Sequence, residues 1–206
     1  MAVAVGALAL GACNLQVELD PPETSPAPPA SLGALTVAPE SHQSTYRRAA
    51  FGQRWKDVDR NGCGQRDDVL ARDLTAVQRR GRCVVVAGVL ADPYTGEQVR
   101  FAKADADAVQ IDHRVALAEA WRSGAWSWPP ARREAFANDL LNLAASKASV
   151  NQGKGDDDAA HWLPVGPSRQ CVFARQVVAV KGKYRLSVDP DEATALRRAL
   201  ALCPKQ

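Results

Sequence analysis

The distribution of apolar residues along the chain predicts a mixed α+β fold in which helices outnumber strands. Three segments have the β-branched or alternating character of short strands, and turn residues separate them. They are residues 83–90, 98–101 and 109–111. The turn Asp92-Pro93-Tyr94-Thr95-Gly96 lies between the first two and predicts a hairpin. The pattern therefore predicts a small antiparallel sheet in the middle of the chain.

Apolar residues at helical spacing predict helices on both sides of this sheet. Leu70, Leu74 and Val77 recur at this spacing after an aspartate pair that can cap a helix. Further helices are predicted over residues 116–122, 130–137, 170–180 and 190–202. Ser146 is expected to cap a short helix that runs through Asn151 towards Lys154, and residues 156–158 (Asp-Asp-Asp) are expected to cap the helix that follows.

The first 45 residues differ in composition from the rest of the chain. Residues 1–13 are small and apolar and end in Leu-Gly-Ala-Cys, which is typical of a bacterial lipoprotein signal peptide with Cys13 as the lipid-bearing residue. No basic residue precedes the apolar run, and a buried N-terminal helix is the alternative. Residues 14–45 are rich in proline and predict an extended tether, so the predicted domain spans residues 46–206.

Four cysteines remain beyond Cys13: Cys63, Cys83, Cys171 and Cys203. An even number of cysteines in an exported domain predicts two disulfides, for which three connectivities exist. The pairs Cys63–Cys83 and Cys171–Cys203 are favoured because each closes a short loop. No pair has the CxxC spacing of a zinc site. The predicted location is extracytoplasmic, either secreted or membrane-anchored.

Composition and charge narrow the class of protein further. The 206 residues are 46% apolar and 24% charged, which suits one globular domain. The long uncharged apolar run is confined to the N-terminus, which excludes a polytopic membrane protein. All 26 lysines and arginines follow residue 46, so the predicted domain is basic. A basic body suits a polyanionic partner such as nucleic acid.

Candidate chemistry is concentrated between residues 112 and 154. Asp112-His113 ends the predicted strand at residues 109–111, and an Asn-Leu pair at residues 142–143 and an Asn-x-x-Lys segment at residues 151–154 follow. This pattern resembles the HNH nuclease motif, in the variant whose last ligand is asparagine. It is most similar to HNH domains of CRISPR effector nucleases and of the C-terminal domain of GmrSD-type restriction endonucleases. Flanking segments, including residues 92–96, extend the resemblance to roughly residues 55–202.

The resemblance implies a ββα-metal (His-Me finger) core and a role for each motif residue. Asp112 and Asn151 would hold one divalent metal ion, Mg²⁺ or Mn²⁺, which prefers oxygen ligands. His113 would be the general base that activates water. Asn142 would orient the His113 loop, with Asn138 as the rival for that role. Lys154 would bind a phosphate oxygen of the substrate.

The sequence therefore predicts a metal-dependent HNH endonuclease that hydrolyses phosphodiester bonds in nucleic acid. DNA is the favoured substrate, and low sequence specificity is expected because no base-reading module is recognisable. One alternative is a non-catalytic surface lipoprotein that retains the HNH scaffold. Another is a calcium-binding structural module at residues 57–68, whose Asp57-x-Asp59-x-Asn61-Gly62 spacing fits an EF-hand loop.

Overall fold

The computed structural model describes residue 1 and residues 31–204 of the chain. Its α-helices are α1 (Gln65–Asp73), α2 (Leu117–Arg122), α3 (Pro130–Ala137), α4 (Ala148–Lys154), α5 (Pro167–Tyr184) and α6 (Pro190–Ala201). Its strands are β1 (Leu74–Arg80), β2 (Val84–Ala91), β3 (Gln98–Ala102), β4 (Val109–His113) and β5 (Leu143–Lys147). The α+β fold class is confirmed. The remainder of the predicted signal peptide and the first part of the predicted tether lie outside the described residues.

The strands form two small antiparallel sheets. The first has the order β1-β2-β3, in which β2 and β3 are the predicted hairpin. The second pairs β4 with β5, so that Asp112 lies opposite Ala144 and His113 opposite Leu143. Helix α4 follows β5 directly. Two antiparallel strands and a following helix thus form a ββα unit that contains Asp112, His113 and Asn151.

The predicted helix that included Leu70, Leu74 and Val77 is wrong in its second half. Helix α1 ends at Asp73, and Leu74 begins β1, where it pairs with Leu90 of β2. Leu70 and Leu74 are buried in the same apolar cluster, so their spacing reflects a shared core although they lie in different elements. A register shift in β1 between residues 75 and 78 also breaks the two-residue alternation by which a strand is recognised.

Two predicted helix caps are also wrong. Ser146 lies within β5, where its hydroxyl donates to a carboxylate oxygen of Asp92 at 3.0 Å, and α4 begins two residues later. Residues 156–158 lead into a turn, because the next described helix, α5, begins only at Pro167. There the Asp158 carboxylate accepts hydrogen bonds from the backbone N–H groups of residues 160 and 161. Both segments show that serine and aspartate stabilise turns and strand ends as readily as helix starts.

Two apolar cores and two disulfides hold these elements together. One core lies between the sheets and α1, and the other among helices α2, α3, α5 and α6. Both favoured disulfides, Cys63–Cys83 and Cys171–Cys203, are confirmed. None of the described helices combines the length and the apolar character that crossing a bilayer requires.

Residues 31–45, which were predicted to belong to the tether, pack on the domain instead. Leu35 is buried in the helical core, and the backbone of residues 36–38 pairs with Val188. The backbone N–H of Ser41 donates to the carbonyl of Arg122. Proline-rich composition therefore misplaced the domain boundary, because one apolar side chain and a few backbone hydrogen bonds anchor this segment.

Replacement of Leu35 by alanine tests this boundary. We expect Leu35→Ala to lower the free energy of unfolding by about 2–3 kcal/mol, because it empties a buried site. Val37→Ala is the matched control, since this side chain is 57% exposed, and should change stability by about 0.5 kcal/mol or less. Chemical denaturation of both variants measures the difference. Equal, small effects would mean that the segment is a tether after all.

Candidate active site

The ββα unit brings Asp112, His113 and Asn151 to one cavity. The cavity has a volume of about 430 Å³, and all three residues line it. Asn151 lies in the second turn of α4 and reaches back to β4, where its Nδ2 donates to Gln110 Oε1 at 2.7 Å. Three residues of the predicted site, separated by up to 39 positions in the chain, are therefore assembled by the pairing of β4 with β5 and the return of α4.

The carboxylate of Asp112 is almost completely buried. It is 4% exposed, and each of its carboxylate oxygens has a partner. Oδ1 accepts from Lys154 Nζ at 3.0 Å, and Oδ2 accepts from the Tyr94 hydroxyl at 2.5 Å. Burial, followed by the adjacent Asp112 charge, raises the pKa of Tyr94 well above its ordinary value, so the phenol stays a donor. A buried carboxylate needs such partners, because an unpaired charge in the interior is very costly.

Lys154 does not occupy the position that the expected phosphate contact requires. The side chain is fully buried, and its ammonium group donates to Asp112 Oδ1 and to the backbone carbonyl of His113 at 2.9 Å. Lys154 lies at the end of α4, which packs on β4, so its side chain is directed into the protein. The structure therefore gives this lysine the role of neutralising Asp112 and fixing the end of β4.

His113 is held in one orientation and one tautomer. Its Nε2 lies 2.9 Å from the backbone carbonyl oxygen of Ala137, and because a carbonyl only accepts, Nε2 carries the proton. Nδ1 is then the nitrogen that can accept a proton. Burial, opposed in part by the Ala137 hydrogen bond, lowers the pKa of His113 to about 4, so the imidazole is neutral at pH 7. The Trp55 ring lies nearly parallel to it, with ring centroids 6.4 Å apart.

The two asparagines that compete for the middle motif position have different surroundings. Asn142 is fully buried, and its side chain makes two hydrogen bonds with the backbone of Val115, at 2.9 and 3.1 Å. The backbone carbonyl of Asn142 also accepts from the backbone N–H of Arg114. Asn138 instead binds the backbone of residues 53 and 56. The geometry favours Asn142 as the residue that holds the loop directly after His113.

The donor atoms of Asp112 and Asn151 fit a hard divalent cation. Such a cation takes carboxylate and amide oxygens, and these two side chains line the same cavity. Each oxygen of Asp112 already accepts one hydrogen bond, but a carboxylate oxygen has a second lone pair. The Asn151 amide uses its nitrogen for Gln110, which leaves its oxygen as a ligand atom. The residues present are therefore compatible with the predicted Mg²⁺ or Mn²⁺ ion.

A second acidic group lies elsewhere in the described part of the chain. Carboxylate oxygens of Glu40, Asp158 and Asp189 lie within 4.8 Å of one another. Each has a structural partner: Glu40 binds Arg122, Asp158 closes the turn before His161, and Asp189 caps the N-terminus of α6. The proximity of these three carboxylates is therefore explained by the structural contacts that each of them makes.

The loop predicted as a calcium site closes on itself through its own side chains. Asp57 Oδ2 accepts from the backbone N–H of Gly62 at 2.7 Å, and both Asp57 and Asp59 accept from that of Asn61. The Cys63–Cys83 disulfide ties the loop to the turn just before β2. Calcium binding by residues 57–68 stays a prediction.

Two residues that the structure places at the site, Tyr94 and Arg48, are not recognisable as site residues in the sequence. Tyr94 was assigned only to a turn, although its hydroxyl supports Asp112. Arg48 lines the cavity beside His113, although it lies 65 positions earlier in the chain. For Tyr94, an aromatic residue within a turn is a weak signal of a role at the site. For Arg48, the available signal in the sequence is that basic residues begin at position 47.

Loss of the Lys154 charge tests its structural role. We expect Lys154→Met to lower the free energy of unfolding by about 3–5 kcal/mol, because Asp112 remains buried without its cation. Adding Asp112→Asn should restore part of that loss. Lys147→Met is the control, since its ion pair with Glu97 is exposed and should contribute about 1 kcal/mol or less. Urea denaturation measures all three. No recovery in the double variant would contradict this role.

Comparison of the sequence with known proteins identifies the family. Residues 64–199 match the family model for the C-terminal domain of GmrSD restriction endonucleases. An uncharacterized secreted protein of Arthroderma benhamiae is 40% identical over 174 residues, which cover 84% of this chain and 82% of that protein. No solved structure matches significantly. The chain therefore belongs to the family of GmrSD restriction endonuclease C-terminal domains, and this membership indicates a nuclease type of function.

Proposed function

We propose that this protein is a metal-dependent endonuclease of the HNH type that hydrolyses phosphodiester bonds in nucleic acid. The observation that carries the proposal is the convergence of His113, Asp112 and Asn151 on one cavity. Family membership supports the reaction class. DNA is the favoured substrate. Little sequence specificity is expected, because the described structure contains no element recognisable as a base-reading module.

In this mechanism His113 is the general base. Its neutral imidazole accepts a proton from the attacking water at Nδ1, while the Ala137 carbonyl holds Nε2–H and fixes the ring. Asn142 ties down the loop that follows, so the base cannot turn away from the cavity. Fixed orientation matters because a small misplacement of a catalytic group lowers the rate strongly.

Asp112 and Asn151 would hold the divalent cation against the scissile phosphate. When bound, such a cation stabilises negative charge on the phosphate and on the leaving oxygen. Lys154 and Tyr94 hold the Asp112 carboxylate in place, because each of them donates to one of its oxygens. The oxygen donor set favours Mg²⁺ or Mn²⁺ over zinc.

The proposed location is outside the cytoplasm. Two disulfides support it, because such bonds persist in oxidising compartments, and so does the description of the Arthroderma benhamiae relative as secreted. Lipid attachment at Cys13 and anchoring to a membrane stay predictions, since that segment lies outside the described residues.

Cleavage of plasmid DNA by the purified protein tests the proposed reaction. We expect cleavage with Mg²⁺ or Mn²⁺, loss of cleavage with EDTA, and a kcat that falls by about 100-fold or more in His113→Ala, as for loss of a general base. His161→Ala is the matched control, because this exposed imidazole pairs with Asp158 and lines neither cavity at His113, and it should keep full activity.

Two results would contradict the proposal. Wild-type protein that cleaves neither DNA nor RNA with any divalent metal would favour a non-catalytic scaffold. Cleavage that survives His113→Ala would remove the general base assigned here. A small set of discrete plasmid fragments would overturn only the claim of low specificity.

Removal of the Asn142 side chain separates orientation of His113 from general stability. Asn142→Ala should lower stability by about 1–3 kcal/mol and kcat by about ten- to a hundredfold, because the loop after His113 loses two hydrogen bonds. Asp189→Ala is the control, since it removes a helix cap of comparable energy away from the cavity. Denaturation and steady-state kinetics, at a temperature where both variants are folded, compare them. An equal effect on kcat would contradict the orienting role.

A further inference from the structure

Residues 46–55, which precede the family match at residues 64–199, form one side of the site around His113. Arg48 lines the 430 Å³ cavity together with Asp112, His113 and Asn151. It also lines a smaller adjoining cavity, whose walls include His113 and Trp55. Arg48 therefore lies where the two cavities meet, next to the proposed general base.

The charged side chains that line this cavity are those of Arg48, Asp112 and Asp156, and among the described residues the arginine has no ion-pair partner. The two carboxylates of the cavity each have a basic partner: Asp112 binds Lys154 at 3.0 Å, and Asp156 binds Arg122 at 2.7 Å. Arg48 is solvent-exposed and takes part in none of the salt bridges found among residues 31–204. Its positive charge is therefore available to a group that enters the cavity.

The backbone that carries Arg48 is firmly attached to α3. Phe51 is 1% exposed in the helical core, and the carbonyl of Ala50 accepts from Arg133 Nε at 2.9 Å. The backbone of Gln53 is bound on both sides, by Glu134 and by Asn138. A cation on a fixed backbone can set the position of a ligand as well as attract it.

We propose that Arg48 binds a phosphate of the nucleic-acid strand beside the bond that is cut. This inference rests on the proposed function and names the residue that receives the substrate's charge. A guanidinium group suits this task, because its planar donors can bind two phosphate oxygens at once. Arg48 would thus supply the phosphate contact that the sequence analysis assigned to Lys154, whose ammonium group is buried against Asp112.

Binding of a fluorescent single-stranded DNA oligonucleotide tests the contact directly. His113→Ala is the background, so that no cleavage occurs, and Arg48→Ala is compared with Arg47→Ala. Arg47 is the matched control, because it is exposed, adjacent in sequence and absent from the lining of both cavities. We expect Arg48→Ala to weaken binding about tenfold and to reduce the slope of log K against log salt by about 0.7, as for one lost phosphate contact on a single strand. Arg47→Ala should leave both nearly unchanged.

Charge reversal and kinetics complete the test. Arg48→Glu should weaken binding more than Arg48→Ala, and Arg48→Lys less, while all three keep the melting temperature of the parent. In the active protein, Arg48→Ala should lower kcat/KM about tenfold or more. Equal effects of the Arg47 and Arg48 variants on affinity and salt slope would overturn the inference.

The cleavage assay keeps this result separate from the proposed function. Cleavage that depends on His113 but not on Arg48 would overturn the inference and leave the function standing. Salt-sensitive binding that depends on Arg48, in a protein that never cleaves, would support phosphate binding by Arg48 and contradict the proposed function.

Discussion

The burial of one carboxylate, that of Asp112, is the constraint on which the rest of the site depends. Its charge lies at the end of β4 with almost no access to water, so the protein must supply donors from elsewhere. Lys154 supplies one from the end of α4, and Tyr94 another from the turn after β2. Three elements that are distant in the chain are thereby fixed at one point. Because His113 is the next residue, the position of the proposed base is fixed with them.

The site also divides its basic residues by position. Lys154 is inside, where it balances Asp112, and Arg48 is at the surface of the cavity, where its charge faces the solvent. His113 lies between them and is neutral at pH 7 because burial outweighs its hydrogen bond to Ala137. The lysine thus stabilises the buried anion, the arginine is the proposed phosphate contact, and the proposed base stays able to accept a proton.

The sequence was informative about the site where residues lie close in the chain or at element ends. Asp112 and His113 end a recognisable strand, and the structure brings Asn151 to the same cavity. The sequence did not reveal which of these side chains are buried. Spacing on a helix places Lys154 near Asn151 but does not say which side chain faces the protein, and that depends on where α4 packs. Arg48 and the packing of Leu35 depend on contacts across the fold, for which composition gives no signal.

Diffraction from crystals soaked in Mn²⁺, recorded near the manganese absorption edge, tests the central claim most directly. It places the ion without reference to activity and distinguishes Asp112 from the other acidic side chains described above. We predict an anomalous peak within about 2.5 Å of an oxygen of Asp112 and of the amide oxygen of Asn151. A peak confined to the Glu40, Asp158 and Asp189 group, or to the loop at residues 57–68, with none beside Asp112, would contradict it.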